Sequence, residues 1–145
     1  MGIVYLIPSL LHEDGMNAIP GYVKDAINDC QVFFVENERT TRRYFKRIWK
    51  DMVIDNYTWH IIDEKAPAKF KKLLAEGNNI GIVSEAGCPG VADPGQSLIA
   101  VAQDMNAVIK PLVGPSSVLL ALMGSGMNGQ QFQFTGYLPI DNQQR

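Results

Sequence analysis

Short apolar runs alternate along this chain with segments of helical periodicity, and that alternation constrains the fold more than any other feature. The runs are rich in β-branched and aromatic residues, as in buried strands. They cover residues 3 to 7, 31 to 35, 79 to 83, 107 to 113 and 132 to 137. Helical patterns cover residues 18 to 29, 39 to 52, 66 to 76, 95 to 105 and 116 to 124. Alternation of this kind predicts parallel βαβ units.

The predicted fold class is therefore α/β: a three-layer domain with a mostly parallel five-stranded sheet flanked by helices. Residues 57 to 62 are a further candidate for an extended segment. A chain of 145 residues with 46% hydrophobic composition has enough apolar side chains for one core. We expect a single domain in this chain.

Composition also limits the function. A net charge of −2 and a pI near 5.6 argue against a nucleic-acid binder that is basic over its whole surface, but they allow a local basic face. The first apolar run stops at Pro8, too short for a signal peptide or a membrane span. Cys30 and Cys88 predict reduced thiols in a cytoplasmic protein. His12 and His60 have no Cys or Asp at ligand spacing, so no metal site is expected.

Residues 84 to 95 follow the third apolar run directly and contain three glycines and two prolines. Glycine lets a ligand approach the backbone closely, and proline restricts the loop conformers. Residues 114 to 117, Gly-Pro-Ser-Ser, follow the fourth run in the same way. Ligands of open α/β sheets bind at the carboxyl ends of strands, so both turns could line one site. Neither turn matches a nucleotide-binding fingerprint, and ordinary turns with serine helix caps are the alternative interpretation.

The second helical segment is strongly amphipathic. At 100° per residue, six of the chain's 13 basic side chains fall within an arc of about 140°. They are Arg39, Arg42, Arg43, Lys46, Arg47 and Lys50. Such a face suits phosphate contacts, whereas a solvated face over a core-packing helix is the alternative. Glu36 and Glu38 precede the helix, either as a surface pair or as groups that position an acceptor.

In their order along the chain, three blocks resemble the tetrapyrrole methylase superfamily of S-adenosylmethionine-dependent enzymes. Residues 84 to 95 are similar to a Ser-Asp-Ala-Gly-Thr-Pro-Gly-x-x-Asp-Pro-Gly block, and residues 114 to 117 to a Gly-Pro-Ser-Ala turn. Residues 136 to 139, Gly-Tyr-Leu-Pro, resemble the Gly-Phe-Leu-Pro that closes the family's first domain. The resemblance is to the amino-terminal half of the branch that methylates a ribose 2′-hydroxyl in small-subunit ribosomal RNA.

Departures from the family pattern fall mainly in the first third of the chain. Residues 8 to 15 are longer than the family's Thr-Pro-x-Gly-Asn loop and lack its early glycine. Asn37 stands where the family's Glu-Asp-Thr-Arg has aspartate, and Glu85 replaces aspartate with another carboxylate. These changes suggest a divergent relative whose acceptor need not be the family's usual nucleotide.

The resemblance implies a cofactor, S-adenosyl-L-methionine, and residues that bind it. The implied cofactor-binding set is Pro8, Glu85, Ala86, Gly87, Cys88, Pro89, Gly90, Asp93, Pro115, Ser116 and Ser117. Together with the basic face, it implies Glu36, Arg39, Arg43 and Lys46 as contacts of the RNA substrate. No catalytic residue is assigned, since methyl transfer from a sulfonium depends mainly on positioning.

The resemblance also implies a domain division and partners. Residues 1 to 138 are expected to form the cofactor-binding domain, and residues 139 to 145 to begin a linker to a second domain. Ribosomal RNA or the small ribosomal subunit is the expected partner, with a possible homodimer and no membrane association. The fragment alone is expected to be inactive. Two alternatives stay open: a methylase of a small acceptor such as a tetrapyrrole, and a cofactor-binding relative that does not catalyse.

Overall fold

A computed structural model describes residues 1 to 137, which form an α/β domain of five strands and five α-helices. The strands are β1 (Ile3–Ile7), β2 (Val32–Val35), β3 (Thr58–Ile61), β4 (Ile80–Val83) and β5 (Val108–Pro111). The helices are α1 (Val23–Asp29), α2 (Glu38–Ile48), α3 (Ala66–Ala75), α4 (Gln96–Asp104) and α5 (Ser117–Ser125). Short 3₁₀ turns cover Met16–Ala18 and Ile54–Asn56.

All strands pair in parallel, in the order β3-β2-β4-β1-β5. Strand β1 lies between β4 and β5, with Val4 opposite Ile80 on one side and Ile109 on the other. This confirms the predicted three-layer α/β class. Because the strands are parallel, the loops that follow them emerge at the same edge of the sheet.

Two apolar clusters form the core, one on each face of the sheet. Neighbouring residues of a strand point to opposite faces, so Phe33 and Phe34 enter different clusters. Phe33 packs edge-on against Phe45 of α2, with ring centroids 5.0 Å apart. Phe34 packs against Phe70 of α3 at 5.5 Å. Helices α1 and α2 therefore cover one face, and α3 and α4 cover the other.

The fifth strand is not the one predicted. Residues 132 to 137 contain no strand, and Phe132 and Phe134 are exposed, although their spacing suits a strand. The strand is Thr58–Ile61, where only a further extended segment was expected. It pairs with β2, and its Trp59 ring lies 5.0 Å from that of Phe33. Despite its apolar alternation, the segment 132 to 137 pairs with no strand of the described sheet.

Helix α1 begins at Val23, five residues later than predicted. Pro20 explains the delay, because the residue before a proline is disfavoured in the helical region. Ile19 is accordingly extended, with φ −96° and ψ 117°. Among residues 1 to 137, no helix is both long enough and apolar enough to cross a bilayer.

Helix α5 is largely exposed within the part of the chain that the structure describes. It follows the edge strand β5, carries no charged side chain, and buries none of its residues. Leu119 and Leu120 are each 53% exposed, and Met123 is 77% exposed. An apolar helix with this exposure is unusual on the free surface of a monomer. The expected Gly-Tyr-Leu-Pro block extends past residue 137, and the expected linker at 139 to 145 lies entirely outside the described residues.

Candidate functional site

The loops after β1 and β4 are joined at the carboxyl edge of the sheet. Ser9 and Gly87 form an antiparallel bridge, in which each backbone N–H donates to the other's carbonyl at 2.9 and 3.2 Å. The buried hydroxyl of Ser9 donates to the carbonyl of Ser84 at 2.7 Å. The hydroxyl of Ser84 in turn donates to the carbonyl of Gly87 at 3.1 Å. These bonds fix the start of the glycine- and proline-rich loop against the first strand.

Two glycines in this loop have backbone angles that other residues rarely adopt. Gly87 has φ +70° and Gly90 has φ +89°. A Cβ on Gly90 would lie 2.7 Å from the Ile99 side chain, and one on Gly87 would lie 3.3 Å from the Pro115 carbonyl. The carboxylate of Asp93 accepts the N–H groups of Gly90 at 3.0 Å and of Gly95 at 2.8 Å. Asp93 thus shapes the loop from within.

The turn after β5 packs against the same loop. The Cys88 thiol donates towards the carbonyls of Gly114 and Pro115, with Sγ–O distances of 3.7 and 3.5 Å. Burial raises the pKa of this thiol. A Cβ on Gly114 would lie only 2.1 Å from Cβ of Pro8. The loops that follow β1, β4 and β5 are therefore in direct contact.

The remaining predicted cofactor residues have more ordinary surroundings. Within the 84 to 95 loop, Pro89 is buried, whereas Glu85 and Ala86 are exposed at its start. Ser116 is the N-cap of α5, and its hydroxyl oxygen accepts the Leu119 N–H at 3.4 Å, the role that the alternative interpretation expected. Ser117 is exposed as the first residue of α5.

A cavity of about 290 Å³ opens beside the loop, between residues 9 to 13, helix α2 and residues 84 to 86. Its charged and polar wall consists of His12, Glu13, Thr40, Arg43, Arg47 and Glu85, and its floor includes Thr41, Tyr44 and Ser84. Tyr44 donates to the Pro8 carbonyl at 2.6 Å, and burial raises the pKa of its phenol. Of the predicted cofactor set, the cavity wall includes only Glu85 and Ala86.

On one side of the cavity, hydrogen bonds connect the residues that follow β2 to the residues that follow β4. The sequence did not predict these bonds. The backbone N–H of Glu85 donates to the carboxylate of Glu36 at 2.5 Å. The Thr40 hydroxyl donates to the Glu85 carboxylate at 2.8 Å. Asn37 is the N-cap of α2, with its side-chain oxygen accepting the Thr40 N–H at 3.1 Å. An amide oxygen can fill this role as well as a carboxylate, so the departure at Asn37 preserves the helix start.

Five of the six residues of the predicted basic face lie on α2, but their side chains have different partners. Helix α2 ends at Ile48 rather than at residue 52, so Lys50 lies beyond it. The Lys46 ammonium donates to the carbonyls of Lys50 and Met52, each at 2.8 Å, which holds the chain turned after the helix. Met52, at the end of this turn, is buried in the core.

The arginines of α2 also differ from one another. Arg42 pairs with Glu38, and its guanidinium lies 5.3 Å from the centre of the Trp59 ring. Arg39 is exposed outside the cavity wall. Arg43 and Arg47 are exposed and line the cavity. Only this last pair shares one concave surface.

Sequence reasoning missed Ser9, Thr40 and Tyr44 as parts of the site. Each carries a hydroxyl next to a predicted loop or on the predicted helix, but a hydroxyl alone gives no specific signal. Among residues 1 to 137, no group of three or more His, Cys, Asp or Glu side chains could hold a metal ion. Cys30 is buried and Cys88 half-buried, and neither forms a disulfide.

Fold and site together define an α/β domain whose candidate ligand-binding edge is built from loops that follow parallel strands. In sequence, the chain is similar to proteins named ribosomal RNA small subunit methyltransferase I. It is 33% identical over 138 residues to the one from Micromonospora olivasterospora, covering 95% of this chain and 43% of that protein. It is 30% identical over 148 residues to the one from Synechocystis, covering 100% of this chain and 51% of that protein.

The relative from Vibrio cholerae is also 30% identical, over 146 residues that are 99% of this chain and 49% of that protein. The chain thus spans about half the length of the curated relatives it matches. No model of a protein family matches the chain.

Proposed function

We propose that this chain is the S-adenosylmethionine-binding part of a methyltransferase that acts on ribosomal RNA, by methylation of a ribose 2′-hydroxyl or of a related acceptor. The observation that carries the proposal is the contact among the loops after β1, β4 and β5, centred on Gly87. The names of the relatives support the reaction and its substrate class.

The site suits a reaction that depends on positioning. The leaving group of a sulfonium is already good, so the enzyme mainly brings donor and acceptor together in line. Glycines with positive φ leave the backbone accessible to a bound ligand, and the bonds of Asp93 keep that backbone in one shape. We assign cofactor contacts to the segment from Glu85 to Gly90, of which Glu85 and Ala86 are exposed, and to the adjoining turn at Pro115, Ser116 and Ser117. Bound there, the cofactor would supply the methyl group.

Pro8 and Asp93 would act on the cofactor indirectly. Pro8 accepts a hydrogen bond from Tyr44 and packs against Gly114, whereas Asp93 holds the amides of Gly90 and Gly95. In the substrate set, Glu36 would position Glu85, and Arg39, Arg43 and Lys46 would contact RNA phosphates. Lys46 would first have to release the two carbonyls that it binds.

The proposal includes a second domain and a cytoplasmic location. Residues 1 to 138 would form the cofactor-binding domain, and residues 139 to 145 would lead to the domain that completes the cleft. The exposed apolar face of α5 supports such a covering element or, in a homodimer, a second copy. Two free cysteines suit a reducing compartment. Without the second domain, the chain should not transfer methyl groups.

Calorimetry with S-adenosylhomocysteine tests the cofactor part. Gly87→Val places a β-branched side chain at φ +70° beside Pro115, and a loss of about 2 kcal/mol would weaken binding about thirtyfold. Gly126→Val is the matched control, because Gly126 has φ +73° and open space around it. Equal affinity of folded Gly87→Val and Gly126→Val proteins would remove this loop from the site.

A methyl-transfer assay on small ribosomal subunits tests the domain argument. The 145-residue chain should show no turnover, whereas a longer protein that carries the chain and a second domain should be active. Turnover by the chain alone would show that its acceptor site is complete. A small tetrapyrrole as the preferred acceptor would favour the alternative substrate class.

A further inference from the structure

We propose that the cavity between residues 9 to 13, helix α2 and residues 84 to 86 binds one ribonucleotide of the acceptor, with its phosphate on Arg43 and Arg47 and its ribose towards Glu85. The identity of the ligand as RNA rests on the proposed function. The site itself rests on the size, charge and position of the cavity.

The size of the cavity limits the ligand. Its volume of about 290 Å³ lies at the lower end of small-molecule sites, which begin near 300 Å³. That space matches a single mononucleotide. It is too small to enclose a tetrapyrrole macrocycle. A nucleotide that enters it must be turned out of any helix, as enzymes that act on one nucleotide require.

Two unpaired guanidinium groups supply the anion site. Arg43 and Arg47 are four residues apart on α2, so their side chains are neighbours on one face. Neither has a hydrogen-bond or ion-pair partner within residues 1 to 137, unlike Arg42, which pairs with Glu38. Like charges at this spacing destabilise a helix. A phosphate between them removes that repulsion and accepts forked hydrogen bonds from both.

The parts of the wall formed by residues 9 to 13 and 84 to 86 have the other sign. Glu13 and Glu85 are carboxylates, and His12 stands beside them at the rim. They disfavour an anion on their side, which places the phosphate at the arginines and leaves hydroxyl groups for the carboxylates. Glu85 is well placed to accept such a hydroxyl, because Thr40 and Glu36 hold its side chain and its backbone from two directions.

The position of Glu85 links this cavity to the cofactor loop. Ser84, Glu85 and Ala86 form one wall of the cavity and also begin the loop that contains Gly87 and Gly90. A ribose hydroxyl bound at Glu85 would therefore lie beside the proposed methyl donor. Since DNA lacks the 2′-hydroxyl, this arrangement favours ribonucleotides over deoxyribonucleotides.

Nuclear magnetic resonance titration of the 145-residue chain with cytidine 5′-monophosphate tests the proposal. We expect saturable shifts at the amides of Thr40, Arg43, Arg47 and Glu85. The Arg43→Gln/Arg47→Gln double variant should bind at least tenfold more weakly. The Lys71→Gln/Lys72→Gln double variant is the matched control, because it removes two positive charges from exposed positions of α3 on the other face of the sheet, and it should bind as the unmodified chain does. The 2′-deoxy analogue should bind several-fold more weakly than the ribonucleotide.

Three results would overturn the proposal. The first is the absence of saturable shifts at the cavity, and the second is an equal loss in the Lys71→Gln/Lys72→Gln control. The third is a double variant that weakens S-adenosylhomocysteine binding but leaves nucleotide binding unchanged, which would assign the cavity to the cofactor. Failure of the proposed function has a different signature: no binding of S-adenosylhomocysteine by the unmodified chain, whatever the nucleotide does.

Discussion

The carboxylate of Glu36 accepts the backbone N–H of Glu85 at 2.5 Å, although 49 positions separate the two residues. Their meeting follows from the sheet, in which β2 and β4 are neighbours and Val35 lies opposite Val83. The residues that leave these two strands emerge side by side. One charged side chain at the end of β2 thereby sets the backbone position where the loop after β4 begins.

Replacement of Glu36 should loosen this junction. Glu36→Ala removes the acceptor and should lower the free energy of unfolding by about 1 kcal/mol, with faster hydrogen exchange at the Glu85 amide. Glu36→Gln keeps an acceptor oxygen and should have a smaller effect. Urea denaturation and amide exchange measure the two quantities. An identical response in Glu64→Ala, which alters an exposed glutamate away from the site, would contradict the assigned role.

The contact between Gly114 and Pro8 should tolerate no side chain. In Gly114→Ala the new Cβ would start 2.1 Å from Cβ of Pro8, so the turn must move, at a cost of about 2 to 3 kcal/mol. Gly21→Ala is the control, since nothing lies within 4 Å of its Cβ position. Urea denaturation of both variants checks the difference. Equal stabilities would mean that the β1 and β5 loops are not in contact.

Ionisation of Tyr5 should destabilise the fold at high pH. Its hydrogen bond to Asp29, together with burial, raises the pKa of Tyr5 from 10.0 to about 12. The fold favours the neutral phenol, so this contribution is complete below pH 10 and is lost as the pH rises towards 12. The stability difference between the unmodified chain and Tyr5→Phe should therefore shrink between pH 9 and 12. A constant difference in urea denaturation across that range would contradict the shift.

The two thiols should react at very different rates. Cys30 is 2% exposed, and burial raises the pKa of its thiol most strongly. Cys88 is only half-buried, so a thiol reagent should modify it slowly in the native chain, while Cys30 should react only after unfolding. Absorbance of the released thiolate at pH 7 reports the rates. In Cys88→Ser the native chain should not react, and a rapid reaction there would show that Cys30 is accessible.

Four strands could be predicted because they are continuous apolar runs, and the helical layers because their apolar residues repeat with the helical period. Strand β3 was expected only as a further extended segment, because its residues are exposed or half-exposed; its Trp59 lies beside Phe33 of the neighbouring strand β2. The run at 132 to 137 has a stronger apolar pattern than β3, but it pairs with no strand of the described sheet. A strand needs a partner, and sequence periodicity does not show one.

The site was predictable where it depends on backbone shape and less so where it depends on side-chain partners. The glycines of the 84 to 95 loop predicted a compact turn. Its contact with residues 114 and 115 could also be expected, because the loops after parallel strands emerge at one edge of the sheet. The sequence did not show that the basic residues of α2 have different environments. Lys46, Arg42 and Arg43 have similar positions on a helical wheel, but carbonyls, an aromatic ring and a cavity give them different environments.

The place of β1 between β4 and β5 has a consequence for synthesis on the ribosome. Of the five strands of this domain, β1 leaves the exit tunnel first, but its partner strands begin at Ile80 and Val108. It therefore cannot pair until most of the domain has been made. Until then its apolar residues and both of its edges are open to wrong pairings. Such long-range pairing slows folding. Nascent chains stalled before residue 80 should thus be the species that most need a chaperone.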